Sequence, residues 1–176
     1  MSFDDPEARA AAIDALLEEE AIKKVIRRFC HSADRLDRDA VLSCFHPDAT
    51  DNHGFFNGPA HEFYNRRAAG WMPLAMHHAL GQMVIELHGD VALTESYCSA
   101  TVVYEGDDGP QTHYEAVRYL DRFEKRDGEW KIARRFVAFD AAVTVPGGLP
   151  DRYPQENWGT RDEHDPWYLF MSRERV

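Results

Sequence analysis

Nine histidines in a chain of 176 residues make imidazole the first side chain to weigh, because it alone gains and loses a proton near neutral pH without help from its surroundings. The partner to test first is Asp34. Ile26, Cys30 and Asp34 fall on one four-residue ladder, so on a helix this carboxylate stands on or beside the face that packs inward. An inward carboxylate is costly unless something pairs with it. The alternatives are that Asp34 caps the following helix or sits at the edge of the stripe in water. His77 and His78 open a strand-like run, and adjacent strand residues face opposite sides, so only one of them looks inward. Period-two counting puts His77 with Met83, Ile85 and Leu87 on the apolar face. A β-bulge at Gly81 would add one residue, reverse the parity and send His78 inward instead. The sequence does not choose between the two.

A carboxylate beside an imidazole favours the charged ring and fixes its tautomer, which equips the histidine to take a proton from carbon. A nearby cation would then stabilise the developing anion. The candidate is Arg135, which shares strand parity with Ala133, Val137 and Phe139; its alternative is a surface ion pair. His46, Asp48, Asp51, His53 and His61 raise the thought of a metal. Their spacings match no ligand pattern such as HExxH, polar-loop histidines explain them as well, and no metal is expected. The signatures GxGxxG, GxxxxGK[ST] and GxSxG are absent from the sequence, which leaves no sign of a nucleotide site or a serine nucleophile.

Helices must hold Asp34, and strands the rest. Ile13, Leu16, Leu17, Ile22, Val25, Ile26, Phe29, Ala33 and Leu36 recur at helical steps, predicting a helix over 6–36 that starts at Asp5-Pro6. A short helix over 39–45 should end at a Pro47-Asp48 turn, and a third should run over 60–70 from an Asn57-Gly58-Pro59 turn. Strands are expected near 77–87, 91–104, 113–123 and 130–143, with hairpin turns at His88-Gly89-Asp90, at 106–110 and at 126–129. Helices followed by a strand meander imply an α+β domain, helices packed on one face of a curved antiparallel sheet. The domain should span 1–143. Residues 144–176 are rich in proline and aromatics without periodicity, a segment to lid the pocket, reach a neighbouring subunit or pack on its own core.

Composition bounds the partners. With 31 acidic residues against 20 basic ones the net charge is −11, which repels phosphate backbones and anionic lipid; neither nucleic acid nor a membrane surface is an expected partner. Hydrophobic residues at 44% are enough for one independent core, and no apolar run approaches the ~20 residues that span a bilayer. The opening MSFDDPEARA is acidic where a leader would be basic. Cys30, Cys44 and Cys98 form neither an even set nor a CxxC pair, so the expected setting is the reducing cytoplasm.

The order AIKKVIRRFCHSADRLDRDAVLSCFHPDAT, MHHALGQMVIELHGDVALTESY and AVRYLDRFEKRDGEWKIARRFVAFD resembles the SnoaL-like family of the nuclear transport factor 2-like (NTF2-like) superfamily. The resemblance runs over about residues 15–142, and the tail from Gly159 to Tyr168 is similar to endings found in that group. It implies a cone-shaped half-barrel with three N-terminal helices, a deep apolar pocket and assembly as dimers or trimers. Relatives of the scytalone dehydratase, hexachlorocyclohexane dehydrochlorinase and bile-acid dehydratase type are cofactor-free lyases, as are deformylases of lignin-derived aromatics. Matched segment by segment, their dyad falls on Asp34 and His78, which favours the bulged strand, and the dehydrochlorinase cation falls on Arg135. Where that enzyme type has a lysine five residues before the Asp, this chain has Phe29, which turns the reading away from dehydrochlorination. Isomerases of the same superfamily place their base near the position of His53, so that mechanism does not carry over. Phe29, His53, Tyr64, Tyr97 and Tyr119 are the expected substrate contacts, with Tyr104 a further hydroxyl donor.

The sequence therefore predicts a cytoplasmic, homo-oligomeric enzyme without cofactor or metal. It would eliminate a leaving group, by dehydration or loss of a carbonyl fragment, from a hydrophobic ring-containing molecule. A ligand-binding protein and an accessory subunit with the same fold are the rivals.

Overall fold

The computed structural model describes residues 5–66 and 73–174. Helix α1 runs over Pro6–Arg35. The Asp5 side chain accepts from the Glu7 amide, Pro6 fills the first turn, and Leu36 ends the helix in the left-handed region with φ 58°. This is the helix the spacing predicted. Its second half buries Ile22, Val25, Ile26, Phe29, Cys30 and Ala33, while Glu18 fastens it to the sheet through Lys125 at 2.6 Å and through the Trp130 indole.

Short α2 covers Arg38–Ser43 and is capped by Asp37. Here the structure departs from expectation. The helix stops two residues early, and Phe45–Asn52 forms strand β1 rather than a turn at Pro47-Asp48. The strand was hidden because two of its buried positions hold His46 and Asp51, which breaks the apolar alternation that identifies a strand. Pro47 is accommodated where the register slips between Phe45 and Thr50, the kind of irregular site proline tolerates. Asn57–Pro59, expected as a turn, is the small strand β2. Helix α3 follows over Ala60–Arg66; the rest of the helix expected over 60–70, and Trp71-Met72, lie outside the described residues.

The meander is as expected: β3 Ala75–His88, β4 Val91–Gly106, β5 Gly109–Arg126 and β6 Glu129–Pro146. The sheet order is β2-β1-β6-β5-β4-β3. All neighbours run antiparallel except β1 and β6. In β3, Leu80 pairs with Cys98 but Met83 with Ser96, so Gly81 and Gln82 together face Tyr97. That is the bulge left open above, and it puts Met76, His78 and Leu80 on the same face as Met83, Ile85 and Leu87. His77 points the other way and is exposed.

The tail is more ordered than its composition suggested. It holds a 3₁₀ turn at Gln155–Asn157 and helix α4 at Pro166–Glu174. Arg161 donates to the main-chain oxygens of Ala33, Asp34 and Pro73 at 2.8, 3.2 and 3.0 Å, and Asp165 meets Arg35 at 3.0 Å. The tail thus braces the C-terminal end of α1. All three cysteines are free and buried. No helix among the described residues is long and apolar enough to cross a membrane.

Candidate active site

The inner faces of the sheet and helices α1 and α3 enclose a cavity of about 730 Å3. Its wall is largely aromatic, with Phe29, Phe56, Phe63, Tyr64, Tyr119 and Phe139 all contributing. Polar groups enter at separate places: His78 from β3, His53 after β1, and His113, Glu115 and Thr144 from β5 and β6.

Asp34 and His78 are joined twice. Oδ1 of Asp34 lies 2.6 Å from Nδ1 of His78, and Oδ2 accepts the His78 main-chain N–H at 3.0 Å. The last turn of α1 supplies the carboxylate, and the bulge supplies the parity that turns the imidazole toward it. Because a carboxylate accepts only, Nδ1 must carry the hydrogen in this bond. That leaves Nε2 on the cavity side, and it has no hydrogen-bond partner among the described residues. Both side chains are about nine-tenths shielded.

Arg135 is not where the sequence reading put it. It does not line the cavity, nor does it form a surface ion pair. Its Nε and Nη2 donate to the two oxygens of Asp121 at 2.8 and 2.7 Å, and both side chains are fully buried. The guanidinium carbon lies 4.2 Å from the centres of the Phe29 and Tyr119 rings, so cavity-lining rings stack against the cation rather than leaving it open to a ligand. Burial pushes the Asp121 carboxyl up and the Arg135 contact pulls it down; two short parallel bonds are the geometry of an ion pair, and we assign it as charged. Burial works against the Arg135 cation too, but Asp121 outweighs it and holds the guanidinium firmly protonated.

Among the expected substrate contacts, Phe29, His53, Tyr64 and Tyr119 line the cavity, as does Tyr104. Burial raises the Tyr119 phenol well above its ordinary value, so it remains a hydroxyl. Tyr97 does not reach the cavity. Ser96 and Cys98 on either side of it are buried, and strand alternation therefore turns Tyr97 to the outer face of the sheet.

One arrangement went unread in the sequence. Asp51 is completely buried and binds Nδ1 of His53 through Oδ1 at 3.1 Å. Its Oδ2 accepts the Tyr64 hydroxyl at 2.9 Å. Burial raises the Asp51 carboxyl, but the bond and charge of His53, then Arg135 and Tyr64, outweigh it and hold the group below its ordinary value. The signal was present as Asp51 near the end of β1 and His53 just past it, two positions apart, but the strand itself was not recognised. Among the described residues no group of three or more His, Cys, Asp or Glu is placed to hold a metal ion.

An open curved sheet backed by helices around one apolar cavity is the NTF2-like arrangement. Within that class the chain belongs to the SnoaL-like domain family, whose model matches residues 14–136. The structure is similar to a type 2 hexachlorocyclohexane dehydrochlorinase at 19% identity and a TM-score of 0.68, covering 78% of this chain and 95% of that one. It is also similar to a candidate scytalone dehydratase from Novosphingobium aromaticivorans at 18% identity and a TM-score of 0.63, covering 76% and 91%. A cystatin-like protein of unknown function from Nostoc punctiforme aligns at 21% identity and a TM-score of 0.54, covering 70% and 92%. At these identities the likeness is one of fold. No curated protein matches the sequence.

Proposed function

We propose that the chain is a cofactor-independent lyase that removes a proton from carbon with His78 and expels a leaving group from a hydrophobic, ring-containing molecule. The observation that carries this reading is the double grip of Asp34 on His78, which fixes the ring and leaves Nε2 bare beside an aromatic cavity. A base held this way needs no reorientation when the proton arrives, and Asp34 stabilises the imidazolium that results. The cavity volume suits a small molecule of a few rings, and Phe29, Tyr64, Tyr119 and His53 are its contacts. Arg135 acts at one remove, its charge lying behind Phe29 and Tyr119. The activities for which the dehydrochlorinase and dehydratase neighbours are named support elimination as the reaction type. Catabolism of aromatic compounds in the cytoplasm by a homo-oligomer, dimer or trimer, completes the proposal.

The test is a screen of aromatic, terpenoid and steroid alcohols for product, with the parent beside His78→Ala and Asp34→Asn. Loss of the base should lower turnover by about 10²–10⁴-fold, and loss of its positioning carboxylate should follow in the same direction. Equal turnover in all three proteins would end the mechanism. Tight binding without turnover would assign the cavity to a carrier instead.

A further inference from the structure

Three histidines line the cavity: His78 is the base, His113 has both ring nitrogens engaged, by Thr144 and Glu115, and the Asp51–His53 pair is left unemployed. His53 is held by one carboxylate bond of 3.1 Å, longer than the one that holds His78, and by different elements. The Asp51 carboxylate binds its Nδ1, its ring lies 4.8 Å from that of Phe63 on α3, and its main-chain N–H donates to Phe56 at 2.8 Å. Nδ1 is committed to Asp51, so Nε2 is the nitrogen left for a ligand.

The buried charges behind His53 do not balance without it. Behind His53 lie two carboxylates, Asp51 and Asp121, and one cation, Arg135, all buried; an imidazolium there would bring the sum to zero.

We propose that His53, positioned by Asp51 and Tyr64, is the proton donor of this cavity and delivers its Nε2 hydrogen to the oxygen of the departing group. The inference rests on the elimination reading and narrows it to leaving groups that need a proton, hydroxyl above all. In the step, the C–H bond breaks and its proton goes to Nε2 of His78, while the C–H electrons form the new double bond. The C–O bond breaks with its electrons on oxygen, which takes the His53 proton and leaves as water. His78 ends protonated and His53 neutral, and exchange with solvent restores both. General acid and general base each contribute about 10²–10⁴-fold in such steps.

Two arms test this. In the first, a benzylic β-hydroxy ketone and its β-chloro counterpart are offered to the parent and to His53→Gln. Chloride departs without a proton, so the substitution should slow the hydroxyl substrate at least about 100-fold more than the chloro one. Equal losses, or elimination by the parent from the chloro compound alone, would overturn the proposal. Turnover of neither compound would count against the elimination reading itself, and the second arm then decides the His53 claim alone. In that arm the affinities of 2-methoxynaphthalene, whose oxygen only accepts, and 2-ethylnaphthalene are measured by calorimetry. A donor in the wall predicts that the parent prefers the methoxy compound at least about tenfold, and that His53→Leu abolishes the preference. Should the unpaired Asp51 charge unfold that variant, Asp51→Asn combined with His53→Leu replaces it. No preference in the parent, or a preference that survives loss of the ring, would overturn the proposal.

Discussion

Asp34 spends both carboxylate oxygens on a single residue, one on the imidazole and one on the main-chain N–H of His78, and this is the arrangement that a four-residue ladder on α1 hinted at. The ladder could say that a carboxylate faced inward; it could not say what met it, because the partner lies 44 positions away. Tyr97 and Arg135 show the opposite limit. Both are residue types that bind substrates, yet strand alternation sends Tyr97 outward and Asp121 draws Arg135 behind two rings. A prediction belongs at this scale. The folded state holds Asp51 below its ordinary carboxylate value, so the ion contributes stability that is fully present above about pH 4 and lost as the pH falls through the lowered value. Denaturant midpoints measured from neutral pH downward should therefore fall less steeply at the acid end for Asp51→Asn than for the parent. Parallel acid limbs would contradict the assignment.

Between residues and site stand the elements, and here the sequence was legible wherever burial and polarity agreed. The meander strands and the long amphipathic helix declared themselves by period. Strand β1 did not, since it carries the buried polar groups His46 and Asp51 that serve other ends. Helix α4 hid for another reason: its Asp165-Pro166 start repeats the Asp5-Pro6 start of α1, but Trp167, Tyr168, Leu169 and Phe170 are consecutive and give no stripe. The bulge in β3 is what puts His78, and not His77, in phase with Met83. Deleting Gln82 should restore simple pairing with Leu80 and Met83 two positions apart, which keeps His78 in phase with Met83 and facing Asp34, so turnover should survive. Its loss in a chain whose circular dichroism remains that of an α+β protein would contradict the face assigned to His78. Phe29 joins α1 to the cavity floor, and Phe29→Ala should cost about 3–5 kcal/mol in denaturant unfolding. Arg161→Ala removes three hydrogen bonds that tie the tail to α1 and Pro73 and should cost about 1–3 kcal/mol in the same assay.

On the whole molecule, the outer face of the sheet carries exposed apolar side chains, among them Leu93, Tyr97, Tyr114, Phe136 and Val143, with Tyr114 and Val143 directly paired across β5 and β6. Exposed apolar side chains of this kind, set around the Glu95–Arg118–Asp140 ion pairs of the same face, are what an assembling protein presents. The proposed dimer or trimer should therefore be seen by analytical ultracentrifugation and should dissociate in Val143→Glu; a parent that sediments as a monomer at micromolar concentration would refute it. The net charge of −11 then describes the solvated exterior, and the chemistry is left to the few ionisable groups buried around the cavity. The proposed chemistry begins at one of them, Nε2 of His78. Nitrogen-detected magnetic resonance of histidine-labelled protein, assigned with His78→Gln, reads that atom without any substrate. The neutral ring should be the tautomer with hydrogen on Nδ1, and Asp34→Asn should release that preference. A His78 ring with its hydrogen on Nε2 in the parent would contradict the mechanism at its centre.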